Sequence, residues 1–531
     1  MSTMLMLAAC SDNFVVPAGD QPSEMLDTGE DATAAVSPLR INEVQARNDS
    51  TIMDGSLAFP DWIELYNAGS SPISLADVAL SDGHQVWSGP DRELATGGRL
   101  LLWADGVNAA GHLPFTLDAT GVKLTLSVAG IVCDRLATGE MAGDMAWARY
   151  PDGGAWAMTA RPTPDATNGS APGRSIDPSD ALFPEREILT FELTLPGSSI
   201  DSLSFEPYTE VPGSLAWGPA WFPDVGVRIK GVYGSLRSIG GKAAFKIDLN
   251  AYRDNRLRGL KSLTFNNMVQ DPSYTHEALA YTFFREMGLP APRTAWMRLR
   301  VNGEDWGLYL NVESVDDTFL SRWWADPSGR MYEGKYGDDF TIGEEASFEY
   351  DEGPEIEDRS DLTAVATLLA EEPTDAVLAQ VESLVDMDQI LSELAVEAVL
   401  WHWDGYTTAN NYRIYHDPAT GRFGMIPWGA DQTLHDEWYG PYDGIGELLN
   451  FCLANAGCLA RYNAALLETA DAFEAGGYEA RMDADVAFLA EDVASDTRGE
   501  FSPDTISAWV ETTRGVIQNS PDHVRTAVAT H

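Results

Sequence analysis

The chain has 531 residues, with 82 acidic against 34 basic side chains and a formal net charge of -48. That charge repels phosphate backbones and argues against a nucleic-acid partner. Hydrophobic residues at 44% and aromatics at 10% exclude a disordered chain, and no apolar run reaches the ~20 residues that a membrane-spanning helix needs.

Two or three domains are expected at this length. Within residues 1–10, Leu7-Ala8-Ala9-Cys10 has the form of a bacterial lipobox and resembles a lipoprotein signal with Cys10 as the acylated residue. Residues 11–37 are polar and acidic and read as a flexible tether. Over 38–170 short alternating segments ("LRINEV", "DWIELYN", "RLLLWA", "VKLTLS") are punctuated by Gly and Asp, which predicts an all-β sandwich. In "DWIELYN", Trp62, Glu64 and Tyr66 share one face and Ile63 and Leu65 the other. Asp61 and Glu43 are read as acceptors for turn and backbone donors, with a cation site as the competing reading. Cys133 is read as a small buried hydrophobe. Residues 171–185 form a second linker.

From 186 to 531 the pattern is α+β, with strands to about 325 and a helical C-terminal part. "DVGVRIKGVYGSLRSIGGKAAFKIDLN" predicts two strands around a Gly-rich turn. "DPSYTHEALAYTFFREMGLPAP" predicts a helix capped by Asp271, with Pro272 in its first turn and Gly288 at its stop. "TAWMRLRVNGEDWGLYLNVESV" is a hairpin turning at Asn302-Gly303. A helix from about Met387 to Trp401 delivers the chain to Asp404, and three amphipathic segments close the chain. Cys452 and Cys458 bracket a short loop and suit a disulfide in an oxidising compartment.

The chemistry concentrates in "WHWDGYTTANNYRIYHDPATGRFGMIPWGADQT", residues 401–433. An Asp after a helix, an Asn a few residues on, a hairpin and then another Asp is the layout of protein kinases. One carboxylate takes the acceptor's proton, and a carboxylate plus an amide oxygen suffice for Mg²⁺, which keeps several waters. Asp404, Asn410 or Asn411, and Asp431 occur in that order. The standard His-Arg-Asp and Asp-Phe-Gly signatures are missing. In "GKAAFKIDLN", Lys242 and Lys246 share the strand face opposite Phe245 and Ile247. Lys246 is preferred over Lys242 for phosphate, with Glu277 in the second turn of the following helix as its partner. Gly231, Gly234 and Ser235 in "GVYGS" would bring backbone N–H groups to phosphate. Glu313 is read either as flanking the nucleotide base through its backbone or as an ordinary surface acid. His402 is read as structural at a helix end, and Asn266 and Asn267 as strand-end caps.

Two resemblances organise these readings. "INEV", "DWIELYN", "LSD", "RLLLW" and "RPTPDATN" resemble, in order, the lamin-tail domain. That likeness implies an immunoglobulin-like sandwich that serves as a spacer or as a binding module for a surface protein or polymer and carries no catalytic residues. "RIKGVYGS", "KAAFKIDLN", the segment from "LKSLTFNN" to "DDTFL", "MYEG", "WDGYTTANNYRIYHDP" and "IPWGADQT" resemble the spore-coat-protein-H (CotH) kinase family. The likeness implies an exported atypical kinase with a remote protein-kinase fold, ATP or another nucleoside triphosphate with Mg²⁺ or Mn²⁺, and a protein Ser/Thr acceptor. It makes Asp404 the catalytic or metal-binding Asp, Asn410 or Asn411 a metal ligand, and Asp431 the second metal carboxylate. Many members carry an Asp directly after Pro-Trp, where this chain has Gly429. The alternative is an inactive surface scaffold, and any membrane attachment would come through a lipid on Cys10.

Overall fold

A computed structural model describes residues 37–169, 177–354, 358–435 and 440–531. Cys10 and the tether lie outside the described residues, as does much of the second linker. The chain divides into two compact units, Met1–Ala181 with Leu257–Gly259, and Leu182–Arg256 with Leu260–His531.

The first unit is β-rich. One antiparallel sheet has the order Ala155–Thr159, Ala146–Tyr150, Leu39–Gln45, Trp62–Asn67, Arg99–Trp103. The other runs Val86–Ser88, Val78–Ser81, Lys123–Val128, Ile131–Ala137. Ile41, Ile63, Leu65 and Leu102 of the first sheet and Leu80, Leu124 and Leu126 of the second share one core. Alternation put Trp62 and Glu64 on the opposite face, and that face is buried too. There the segment that starts at Arg161 spends its backbone on the sheet's acids. Thr163 N–H donates to Glu43 at 3.1 Å and Asp165 N–H to Glu64 at 2.8 Å. Asn42 donates to the other Glu64 oxygen at 2.8 Å. Asp61 accepts from the Asn48 N–H, and Cys133 is buried.

The second unit is α+β. Seven strands close a barrel in the order Leu189–Thr194, Val211–Trp217, Ala220–Lys230, Ala244–Asp248, Ser262–Asn266, Glu304–Val312, Thr294–Val301. Closure comes from a parallel pairing of the first and last strands. The Gly-rich turn joins the expected antiparallel pair, with Arg228 opposite Lys246 and Ile229 opposite Phe245. Val227, Ile229, Phe245 and Ile247 fill the barrel, so Arg228, Lys230 and Lys246 stand on its other face. The hairpin turns at Asn302 and Gly303, both at positive φ.

The helix expected from Pro272 begins later, at His276, and runs to Glu286. Tyr274 at φ 63° breaks the first turn. Asp271 still receives the His276 N–H, at 2.8 Å. Glu277 therefore sits in the first helical turn instead of the second. Helix Met387–Leu400 is buried along most of its length and ends at Trp401, whose backbone is left-handed. A four-stranded sheet of Glu349–Glu352, Arg330–Gly334, Tyr412–Asp417 and Arg422–Pro427 carries the segments around Asp404 and Asp431. Helices Glu447–Ala454, Ala456–Ala475, Tyr478–Ser495 and Pro503–Thr530 complete the unit. A Cys452–Cys458 disulfide joins the first two of them.

Candidate active site

The loop after helix Met387–Leu400 is folded around Asp404. Asn410 Nδ2 donates to one Asp404 oxygen and Asn411 Nδ2 to the other, each at 2.8 Å. Both amides thus spend their N–H on the carboxylate, and their oxygens carry no hydrogen bond among the described residues. Burial raises the Asp404 carboxyl, while the two amides pull it down. Beneath the loop, the buried Glu397 takes the backbone N–H of Tyr406 at 2.7 Å and of Thr407 at 2.9 Å. This fixes the loop on the helix that delivers it.

Gly429 contributes to the same arrangement. Its φ is +60°, and a Cβ there would lie 2.9 Å from Asn411 Cγ and Nδ2. An Asp at this position would displace Asn411 from Asp404. The departure at Gly429 is thus matched to the amide that supports Asp404 here.

Asp431 lies just beyond, in the short 3-10 turn Ala430–Gln432. Burial raises its carboxyl; Lys230 opposes the rise, while Asp404 and Asp271 add to it. Glu277 is raised by burial and by Asp431, again with Lys230 opposing. Asn266 Nδ2 donates to Glu277 at 2.6 Å. Burial lowers the Lys230 ammonium, and Glu277 and Asp431 hold it up. The three groups are one electrostatic unit beside Asp404. The structure therefore brings together Asp404, Asn410, Asn411, Asp431 and Glu277.

The cation in that unit is Lys230, which the strand reading passed over. The expected Lys246–Glu277 pair is not formed. Lys246 Nζ donates to Ser262 Oγ at 3.2 Å, and the carboxylate that supports its charge is Asp316. It sits beside Arg228 and Lys230 without touching Glu277. Lys242 is a structural residue: its ammonium, 2% exposed, pairs with the buried Asp496. Glu313 is not a surface acid, and its backbone N–H is taken by the Arg293 carbonyl at 2.8 Å. It is buried in ion pairs with Arg293 at 2.7 Å and Arg322 at 2.6 Å. Gly231 and Gly234 adopt positive φ directly after Lys230, but Ser235 Oγ turns back to accept the Val232 N–H at 3.2 Å. His402 is buried, in keeping with a structural role. Asn267 Nδ2 donates to the Ser235 and Lys242 carbonyls, joining the turn to the strand. The missed signal was "RIKG": alternation from Val227 and Ile229 already puts Arg228 and Lys230 together, and the glycine follows at once.

No three His, Cys, Asp or Glu side chains among the described residues gather as a ready metal centre. The donor set still fits a hard cation carried in with phosphate. Asp431 and the spare amide oxygens are oxygen ligands, and Mg²⁺ completes its shell with water and phosphate oxygens.

Fold and residues together define a multidomain protein whose α+β unit sets cations on a barrel face against buried carboxylates. Residues 227–518 match the family model described as CotH kinase protein, and the chain belongs to that family. It is 27% identical over 202 residues to "Inner spore coat protein H" of Bacillus subtilis (strain 168), a stretch covering 36% of this chain and 55% of that protein. It is 36% identical over 73 residues to "Inner spore coat protein H-like protein" of the same organism, covering 14% of this chain and 22% of that protein. The chain thus spans about half or less of the length of these curated relatives.

Proposed function

We propose that this chain is an exported atypical protein kinase that transfers the γ-phosphoryl of a nucleoside triphosphate to a Ser or Thr hydroxyl of a protein acceptor. The observation that carries the reading is a buried Lys230 whose charge Glu277 and Asp431 support without ion-pairing it, together with an Asp404 whose two oxygens are both fixed by amides. The acceptor oxygen would bond to the γ-phosphorus as the bridging oxygen to the β-phosphate leaves. Asp404 takes the hydroxyl proton, and its burial favours the protonated form. Lys230 offers a point charge to phosphate oxygens, and Glu277 favours its charged form. Asp431 with Asn410 or Asn411 would hold Mg²⁺ or Mn²⁺, which neutralises charge on the phosphates. Most of the acceleration then comes from positioning and charge.

The Cys452–Cys458 disulfide and the relatives' spore-coat names support an exported location. Lipid attachment at Cys10 and a lamin-tail-like binding role for residues 38–170 belong to the same proposal. The second reading is an inactive scaffold, which follows if metal needs the Asp that many members carry where this chain has Gly429. Incubation of the purified chain with labelled ATP and Mn²⁺, beside Asp431→Ala, decides between them. Label entering protein with the wild type alone is expected. Equal labelling refutes the role of Asp431, and no labelling favours the scaffold.

A further inference from the structure

Arg413 lies two residues beyond Asn411, on strand Tyr412–Asp417. It is only 8% exposed. Its Nε donates to Asp351 at 2.9 Å and its Nη2 pairs with Glu333 at 3.0 Å. Its Nη1 is buried and has no hydrogen-bond partner among the described residues. A buried charged donor left unmade is costly, and each such group calls for an explanation.

The surroundings supply one. The Arg413 guanidinium lies 4.4 Å from the centroid of the Trp428 ring, and Lys230 Nζ lies 5.7 Å from the same centroid. Arg413, Arg228 and Lys230 all repel the Lys246 ammonium. Among the described residues, neither Arg228 nor Lys230 has a carboxylate within ion-pair distance. A chain with 34 basic residues and a net charge of -48 has thus gathered Arg228, Lys230, Lys246 and Arg413 in one place. Glu277, Asp431 and Asp316 offset part of their mutual repulsion, and an arriving anion would offset more of it. Glu333 and Asp351 hold Nη2 and Nε of the guanidinium and leave Nη1 unspent. Such a pre-set donor needs no reorganisation when charge arrives.

We propose that Arg413 is a substrate-contacting residue whose Nη1 donates to a phosphate oxygen of the bound nucleotide, beside Lys230. The assignment rests on the kinase reading, and the ligand class is the linear polyphosphate chain, not the base. A purely structural Arg413, tying its strand to Glu333 and Asp351, is the rival account.

Equilibrium binding of Mg·ATP and of inorganic tripolyphosphate to the full chain tests it, with wild type, Arg413→Lys, Arg413→Met and Glu333→Gln compared at a temperature where all are folded. Lysine keeps the charge but cannot reproduce the fork. Both Arg413 variants are expected to bind Mg·ATP and tripolyphosphate about 10- to 100-fold more weakly, the range for a lost hydrogen bond to a charged group. Glu333→Gln, which removes one grip but not the donor, is expected to lose far less. Unchanged affinity in Arg413→Lys and Arg413→Met, with only melting temperature lowered, overturns the proposal in favour of the structural account. Arg413-dependent binding of tripolyphosphate without binding of Mg·ATP upholds the phosphate contact and sinks the kinase reading. Binding of neither probe by the wild type overturns both.

Discussion

Both units bury acidic side chains, and they use them in opposite ways. In the first unit Glu43 is pushed up to about 8 and Glu64 to about 7, each chiefly by burial. Their oxygens are consumed by Thr163, Asn42 and the Asp165 backbone. In the second unit Asp431 and Glu277 are raised by burial as well, but the charge of Lys230 opposes the rise in both. In the same unit Asn410 and Asn411 spend only their N–H groups, on Asp404, and Arg413 Nη1 is buried with no partner among the described residues. A perturbed carboxyl is therefore weak evidence of a site. Hydrogen-bonding capacity left unspent beside it is the stronger sign.

The same contrast separates two lysines of one barrel. Lys242 is spent: it pairs with Asp496, which also takes the Leu308 N–H at 3.1 Å. Lys230 makes no ion pair among the described residues. The largest effect should come from Lys230→Met, with phosphoryl transfer to a protein acceptor reduced about 10²–10³-fold, the scale for losing one preorganised charge-stabilising group. Steady-state rates measured with labelled ATP check this, and melting temperature should hold within a few degrees. Lys242→Met should do the reverse. Removing it leaves Asp496 buried and unpaired, at a cost of about 3–5 kcal/mol, read as a lower midpoint in urea.

A smaller, pH-dependent effect should appear in the first unit. Glu43 titrates higher folded than unfolded, so the protonated form is the one the fold favours. Its contribution is full below its ordinary value of 4.5 and is lost as pH rises toward about 8. In that window stability should fall by up to about 1.4 kcal/mol per pH unit. Hydrogen exchange of the strand Leu39–Gln45 should quicken across it, and Glu43→Gln should flatten the dependence. An unchanged slope in that variant would place the titration elsewhere.

Much of this molecule could be read along the chain, where the signal was local. The hairpin at Asn302-Gly303, helix Met387–Leu400 and the grouping of Asp404 with Asn410 and Asn411 depend on near neighbours. The choice among Lys230, Lys242 and Lys246 did not. Lys230 and Lys246 lie on barrel strands and Lys242 just before one, and which of them feels Glu277 depends on closure of seven strands and on where the helix from His276 begins. Lys242 looked available because Asp496, its partner, is 254 residues away in sequence. Glu313 misled for the same reason, since its strand pattern shows neither Arg293 nor Arg322. The late start of the helix turned on one left-handed residue, Tyr274, at a position where no glycine or asparagine advertised it.

Stabilisation of the full chain by Mg·ATP, measured as a shift in melting temperature for wild type, Lys230→Met and Lys242→Met, probes the central distinction most directly. The shift should be present in the wild type, lost in Lys230→Met, and kept in Lys242→Met even though that variant starts from a lower temperature. A shift that survives without Lys230 and vanishes without Lys242 would mean that the spent lysine, not the unspent one, belongs to the site.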